Sequence, residues 1–498
     1  MSVYAPDPEG PPRLAWGLWK KFLLGSILII VFVAAPTATA ILLQVKDAVD
    51  AFQSVSRPIP GVQSVLDDVK AGQPQTILVL GSDRRFADIK TKAPVRSDTI
   101  ILVRLDPHKD ATAVMSIPRD LKVEIPGFGE DRINAAYADG GPKLTVRTVR
   151  DLLAIPINHV VNVNFGGFRR AVNRLGCVYA DVDRRYFNDN NPPRDSPTKY
   201  ATIDLKPGYQ KLCGQDALDY VRFRHLDDDF VRAARQQEFL RQAKEQIGVG
   251  KLFGDREQLL RIFGRYTDTD IRGEGAILRL LKLAYEASKN PIREVRFRGH
   301  QDPHDDFVTI GPTRLDRTTE EFLNVRASPG PRAAAPRART PKRVRKRRGL
   351  ARGLVTAKEE GENHVLDMAT RLPTLPVYFP KTRLARGGYV KDSPRSYDLF
   401  DRNRIKYRAY RIVLSQGDNG QFYGVQGTTW KAPPILDNPT DEVRMRGRTY
   451  QRYFDGRKIR LIAFRTRRAV YWVANTLSQR LTNKQMMDIA ASLQRIGQ

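Results

Sequence analysis

Cysteine is nearly absent from this chain: Cys177 and Cys213 are the only two in 498 residues. No neighbouring His or Cys completes a tetrahedral set around either, which argues against zinc. Zinc-finger spacing, an aromatic-rich RNA-binding signature and a helix-turn-helix pattern are missing too. Nucleic acid is therefore disfavoured as a partner, despite a formal charge of +29. Acidic residues are absent from Arg326 to Arg352, where Pro, Ala and Gly accompany eleven Lys and Arg. Such a stretch cannot bury enough apolar surface to fold alone, and 326–354 reads as a basic disordered linker.

Charge itself is absent from Phe22 to Leu43, a run of 22 residues. As a helix it is about 33 Å long, enough to cross the hydrocarbon core of a membrane. Arg13, Lys20 and Lys21 precede the run, so the tail 1–21 is expected in the cytoplasm and Val45 onward outside the cell. This describes a single-pass protein of the cell membrane with an uncleaved signal-anchor. Thr37-Ala38-Thr39-Ala40 resembles a signal-peptidase site and keeps cleavage as the alternative. In an oxidising compartment, two cysteines and no others suggest one disulfide, Cys177–Cys213. In the chain-entropy model, closing a loop of that length is worth about 4 kcal/mol.

The cationic excess comes from 84 Lys and Arg spread along the whole length. It suits anionic lipid or a phosphate-bearing substrate, or it reflects an Arg-rich background composition. Beyond a stalk at 44–75, the length allows a main domain over 76–325 and a smaller one over 355–498. The oligomeric state is open.

The main domain is organised around RSDTIILVRLDPHKDATAVMSIPRD (96–120). Two apolar runs, Ile100–Val103 and Ala111–Ile117, flank turn residues 106–110. Runs that are apolar on both alternating faces belong to strands covered on both sides, so this hairpin should be central. Counting outward from a turn centred between His108 and Lys109 puts Asp98 opposite Arg119, with Arg96 and Asp120 just beyond. Charges at the open end of a buried hairpin must pair with one another, hold a metal or hold a ligand.

Thr76–Leu80 reads as another core strand, and it exits through Gly81-Ser82-Asp83, bringing a further acid to a strand end. Gly140-Gly141-Pro142 ends any helix before it, and 143–153 reads as an amphipathic helix. His159–Phe165 reads as a strand, Gly167–Leu175 and Gly214–Phe223 as helices, and VRFRG (295–299) as strand-like. This alternation implies an α/β or α+β domain with a mixed central sheet covered by helices.

Asp227, Asp228 and Asp229 can cap a helix running from about Phe230 to Ile247. Its apolar stripe, Leu240, Ala243 and Ile247, continues toward the N-terminus through Gln236 and Arg232. A buried face that turns polar at one end points those groups into a site. The C-terminal domain shows strand-like Tyr407–Leu414, Lys458–Arg465 and Ala469–Val473. A last helix, Asn483–Ile496, follows the N-cap candidate Thr482. It reads as α+β, with no cluster of catalytic character.

Five segments in order resemble the LytR-CpsA-Psr family: RSDTI (96–100), SIPRD (116–120), RINAAY (132–137), YVRFRH (220–225) and R-x-x-R-Q-Q (232–237). The likeness covers about residues 76–250, less closely to 325, and sits behind an anchor. Cys177 stands where the family often has a second glycine after Leu-Gly, and the C-terminal domain has no assigned role. The resemblance implies an α/β core with an apolar pocket for a lipid tail and a mouth that holds pyrophosphate. It implies an arginine clamp of Arg96, Arg119, Arg132, Arg222, Arg224 and Arg232, with Gln236 beside it. It places Arg96, Asp98 and Arg119 at the reacting centre and makes Asp83 and Asp98 ligands of magnesium, with manganese as the other candidate metal.

The activity so implied is an extracytoplasmic ligase of phosphotransferase type, moving a glycopolymer from a polyprenyl-pyrophosphate carrier to peptidoglycan. Arginine forks and a hard divalent cation suit the charge of a pyrophosphate ester. An acceptor sugar hydroxyl attacking the anomeric carbon would displace lipid pyrophosphate. The competing readings are a non-catalytic binder of lipid-linked wall precursors and a polyprenyl-pyrophosphate pyrophosphatase. Transcription regulation fits poorly with an anchor and a disulfide.

Overall fold

The structure, a computed structural model, describes residues 50, 52, 54, 56–70, 72–82, 97–191, 201–223, 229–247, 256–288, 290–301, 307–326, 342–343, 349–417 and 421–497. The expected anchor lies outside these residues. Among the described residues no helix is long and apolar enough to cross a membrane.

Strands β1 (Gln75–Ser82), β2 (Ser97–Leu105) and β3 (Thr112–Ile117) form an antiparallel set at the centre of the main sheet. The β2–β3 register runs Ile100 to Ile117 and Leu102 to Met115, as turn counting predicts. Helix α1 (Ala135–Leu153) is interrupted at Gly141, whose φ of 62° leaves helical geometry just before Pro142. Strand β4 (His159–Asn164) returns parallel to β1, and α2 (Phe165–Arg174) follows it directly, N-capped by Asn164. The hairpin β5 (Val178–Val182) and β6 (Gly208–Leu212) stands apart as a two-stranded sheet. Helices α3 (Gly214–Arg222), α4 (Asp229–Gln246) and α5 (Arg256–Tyr266) come next. Strand β7 (Thr267–Thr269), helix α6 (Glu274–Ser288), strand β8 (Ile292–Val295) and helix α7 (Pro312–Leu323) complete the domain.

The sheet order is Arg57–Pro58, β7, β4, β1, β2, β3, β8, with parallel and antiparallel pairs mixed. The strand expected at 295–299 lies earlier in the chain. Its parallel ladder with β3 begins where Thr112 N donates to Pro291 O at 2.9 Å, and Val295 is the last paired residue.

Alternation divides the central strands between two faces. Leu78, Leu80, Ile100, Leu102, Met115 and Val160 pack against α1 and α7 in the main core. The opposite face carries Ile77, Val103 and Val163, partly buried against Leu278, Leu280 and Leu283 of α6. Cys177 and Cys213 form the expected disulfide, joining the start of the β5–β6 hairpin to the start of α3.

The C-terminal unit holds α8 (Lys358–Thr370) and the strands β9 (Arg395–Phe400), β10 (Lys406–Ser415), β11 (Phe422–Thr428), β12 (Asp441–Met445), β13 (Arg448–Asp455), β14 (Lys458–Arg465) and β15 (Val470–Ala474). They order as β12, β13, β14, β15, β11, β10, β9, and Lys342–Arg343 pairs with the outer edge of β12. Helix α9 (Asn483–Ala491) has a capping box between Thr482 and Gln485. It stops short of the expected Ile496, because Leu493–Arg495 pairs instead with Tyr378–Pro380. Tertiary pairing overrides helical continuation there.

One face of this second sheet is buried against α8 and α9, and the other against the main domain. Tyr179 of β5 and Tyr209 of β6 are fully buried beside Tyr397, Leu461, Ala463 and Trp472. Gly208 admits this contact. A Cβ at that position would stand 2.5 Å from the Tyr397 hydroxyl, and its φ of 122° suits glycine. At the centre, the fully buried Arg411 meets Asp181 at 2.8 Å, and Trp472 Nε1 donates to the same carboxylate at 3.1 Å. Replacing one partner of such a pair strands a charge in the interior. Arg411→Ala should cost about 3–5 kcal/mol of unfolding free energy in urea titration. The double change Asp181→Leu, Arg411→Met should cost clearly less.

Glu294 of β8 lies at the margin of this interface, close to Arg296, Arg241, Asp455 and the Gln237 amide. Burial pushes its carboxyl up to about 7, against the opposing pull of Arg296 and Arg241. A carboxyl raised in the fold holds its proton more tightly there than in the unfolded chain. Its contribution is complete below the ordinary value of 4.5 and is lost as pH rises through about 7. Glu294→Gln should remove that slope from the melting temperature between pH 4.5 and 7 and raise the melting temperature at pH 8.

Candidate functional site

The sequence expectations converge on the ends of β2 and β3 and on the junction of α3 with α4. Asp98 lies within β2. The β2–β3 ladder ends at the Ile100–Ile117 pair, and the chain then turns, with Leu121 N donating to Pro118 O at 3.2 Å, so the expected Asp98–Arg119 pairing lies beyond the ladder. Ser82 of β1 pairs with Ser97 of β2 across a register shift, so Asp98 follows a residue paired with the one preceding Asp83. The Asp98 side chain and the residues Asp83, Arg96 and Arg224 lie outside what is described.

Beyond β3, Arg119 Nε stands 3.1 Å from Asp120 Oδ2, and Arg132 Nε stands 3.7 Å from Asp120 Oδ1. The Arg132 guanidinium also lies over the Phe307 ring at 5.2 Å. Local backbone bonds hold this group: Asn134 N donates to Arg119 O at 3.2 Å, and Val308 N donates to Asp120 O at 2.8 Å. Two guanidiniums flank one carboxylate, and such forks are the groups that recognise anions bidentately. The paired cluster and the ligand-binding cluster, alternatives in the sequence, are here compatible.

The second group gathers around α4. Arg222 ends α3 with its guanidinium 5.2 Å over the Phe165 ring and its Nε 3.6 Å from Asp219. Burial pushes the Asp219 carboxyl up, and the Arg222 charge and the Gln215 amide partly offset this. Arg232 and Gln236, one turn apart on α4, are both buried, whereas Leu240 and Ala243 of the expected apolar stripe are only partly buried and the most buried side chains, Arg235 and Gln242, lie off it, because α4 is covered by both domains. Gln236 Nε2 donates to Thr99 Oγ1 at 3.2 Å and to Val221 O at 3.1 Å. One amide therefore ties β2, α3 and α4 together, and with them the RSDTI, YVRFRH and RAARQQ segments.

Sequence reasoning missed Arg235. It is fully buried, donates from Nη2 to Phe223 O at 2.5 Å, and lies 4.7 Å from the Tyr186 ring centre. Arg184 packs over the same Tyr186 and Phe223 rings. Phe223 caps α3 in an extended conformation, so Arg235 holds the point at which the chain leaves toward Arg224. Charge alone does not distinguish it from Arg232. The surrounding aromatic rings do, and they come from distant sequence. Tyr137, also of RINAAY, accepts from Asn162 Nδ2 at 2.9 Å, which places that segment's last residue against β4.

Among the described residues no group of three or more His, Cys, Asp or Glu could hold a metal ion. The carboxylates expected for that role, Asp83 and Asp98, are not among the side chains described.

The family model described as LytR_cpsA_psr matches residues 41–319, ending before the C-terminal unit. The polyisoprenyl-teichoic acid–peptidoglycan teichoic acid transferase TagT of Bacillus subtilis is 32% identical over 223 residues, covering 45% of this chain and 68% of that protein. The transferase of the same description, TagU, from Oceanobacillus iheyensis is 30% identical over 317 residues, covering 61% of this chain and 93% of that protein. Among solved structures, TagT bound to LI-WTA is 28% identical, with a TM-score of 0.41, and covers 52% of this chain and 92% of that chain. A family match over more than half the chain, with motifs that one buried amide draws together, allows a plain conclusion: the chain belongs to the LytR_cpsA_psr family.

Proposed function

We propose that this chain is a membrane-anchored, extracytoplasmic transferase moving a glycopolymer from a polyprenyl-pyrophosphate carrier to peptidoglycan. The observation that carries the reading is the Gln236 amide bonded to both Thr99 and Val221. It brings arginine-bearing segments from β2, α3 and α4 to one place. The names of the relatives supply the substrate class, a polyisoprenyl-linked wall polymer.

The chain's own residues divide the work. Arg119 and Arg132, bracketing Asp120, and Arg222 and Arg232, beside Gln236, hold a pyrophosphate by charge-assisted bonds. Arg96 and Arg224 join them. On the sheet face toward α6, Ile77, Val79, Val103 and Val163 are half-buried while Ile101, Leu105 and Val161 are buried; the half-buried side chains support an apolar slot for the prenyl tail between the sheet and α6. Asp83 and Asp98 are the residues that would hold magnesium. Both are hard oxygen donors, and the Ser82–Ser97 pair brings their strand ends together. When bound, the ion would neutralise charge on the leaving oxygens.

An acceptor sugar hydroxyl has two bonds open to it. Attack at the anomeric carbon releases lipid pyrophosphate. Attack at phosphorus carries phosphate across with the glycan and releases lipid monophosphate, as a phosphotransferase would. Full chain, lipid-linked glycan donor, peptidoglycan and magnesium test the function, and the lipid product distinguishes the two bonds. Release of lipid phosphate without glycan on peptidoglycan would instead identify a pyrophosphatase. Binding without any product would identify a carrier.

Asp98→Ala should abolish magnesium-dependent transfer while lowering lipid affinity less, because the arginines remain. Arg119→Ala should weaken lipid binding itself, by about 1.5–3 kcal/mol. Lys at that position should rescue poorly, since a point charge does not reproduce the bidentate fork. Melting, lipid affinity and transfer measured in parallel decide the matter: an Asp98→Ala chain that folds and transfers normally removes Asp98 from the metal site.

The membrane arrangement has its own check. An alkaline phosphatase fused after Gln498, active only when exported, should be active. Activity of a cytoplasmic reporter at the same position would reverse the orientation.

A further inference from the structure

We propose that Asp455, in the C-terminal unit, is a positioning residue of the transferase site, holding α4 through Arg241 so that the second domain completes the first. The inference rests on the site described above and concerns a part of the chain beyond the family match, which ends at residue 319.

Helix α4 has two working halves. Its N-terminal half carries Arg232, Arg235 and Gln236 into the site, and its C-terminal half is gripped by the other domain. Arg241 Nη1 meets Asp455 Oδ2 at 3.2 Å, while Arg460 reaches Glu238 at 3.8 Å and Glu245 at 4.0 Å. Arg402 donates to Gln246 O at 2.8 Å. Five residues separate Gln236 from Arg241, about 7.5 Å along a continuous helix. A displacement imposed at Arg241 is therefore felt at Gln236, whose two bonds hold the site together.

Asp455 is the hub of the grip. Besides Arg241, it accepts from Gln479 Nε2 at 2.7 Å and meets Arg293 of β8 at 3.5 Å. It sits at the start of the β13–β14 turn, where Gly456, at a φ of 58°, leaves room for the Arg293 guanidinium. Burial alone would push the Asp455 carboxyl up, yet Arg241, the Gln479 amide, Arg293 and Arg460 together hold it below the usual range. Burial pushes Arg241 down to about 10, with Arg460 acting in the same direction. Without Asp455, Arg241 and Arg293 would lose the carboxylate they share across the domain boundary, and Arg241 would keep only its pairing with Glu238 within α4, which ties α4 to nothing outside itself.

The test uses the full chain in detergent with farnesyl pyrophosphate as the probe, measured by calorimetry well below the melting temperature. Asp455→Ala, and the isosteric Asp455→Asn should the first fail to fold, should weaken binding about tenfold, a coupling typical of residues in one network. Hydrogen exchange over 229–247 should quicken in the same variants. Adding Arg241→Met to either should weaken binding no further, because the contact through which Asp455 holds α4 is already lost. A contact that only stabilises the fold would lower melting and leave affinity unchanged. Arg232→Ala separates the two proposals. If it weakens binding while the Asp455 variants bind normally, the positioning role is wrong and the site stands. If neither change affects binding, the site is wrong, and the positioning role falls with it.

Discussion

The structure depends on one unusual helix. α4 runs between two domains with Arg232, Arg235, Gln236, Gln237, Gln242 and Gln246 all buried. Each such group, taken out of water, must find a partner or cost several kcal/mol. The partners found are the contents of the site and of the interface: Phe223 O for Arg235, Thr99 and Val221 for Gln236, Glu294 for Gln237, and the Tyr179 backbone for Gln246. An aliphatic helix in this place would pack, but it would specify neither the rotation of α4 nor its height along the sheet. The polar set does both, because its partners are fixed points on β2, α3, β5 and β8.

That requirement explains why the second domain is docked so tightly. Its sheet lays an aromatic face on Tyr179 and Tyr209 and seals Asp181 against Arg411 and Trp472. A buried ion pair contributes little net stability against a hydrophobic alternative, but it penalises every arrangement that separates its charges. Here that penalty selects one orientation between domains whose ion-pair partners are 230 residues apart in the chain.

Much of the main domain was legible in the sequence, and the reason is local. The β2–β3 register follows from a short turn between two apolar runs, and a one-residue slip would have reversed both faces. The disulfide follows from having only two cysteines in a chain whose sequence predicts export. The burial of Gln236 and Arg232 follows from helical spacing, though Leu240 and Ala243 of the same stripe are only partly buried. What stayed hidden involves long-range choice. Arg235 is set by rings contributed by Tyr186, Tyr220 and Phe223 and by its bond to Phe223 O, all from distant sequence. Tyr179 and Tyr209 look like ordinary strand residues, and nothing near them announces Trp472. The ends of β8 and α9 were misplaced because their pairing partners, β3 and Tyr378–Pro380, lie far away in sequence.

The distribution of charge follows from the same division. The main domain gathers arginines where strands and helices end, Arg119 and Arg132 around Asp120 and Arg232 and Arg235 along the first turns of α4. The interface instead matches cations with acids almost one for one: Arg411 with Asp181, Arg241 and Arg293 with Asp455, and Arg460 with Glu238 and Glu245. An unbalanced interface would repel itself. α4 carries both patterns on one rod, arginine among aromatic rings in its first turns and interdomain ion pairs toward its end. Its sequence, dense in Arg and Gln with few aliphatic residues, is what a helix needs when both of its ends must be held by polar partners.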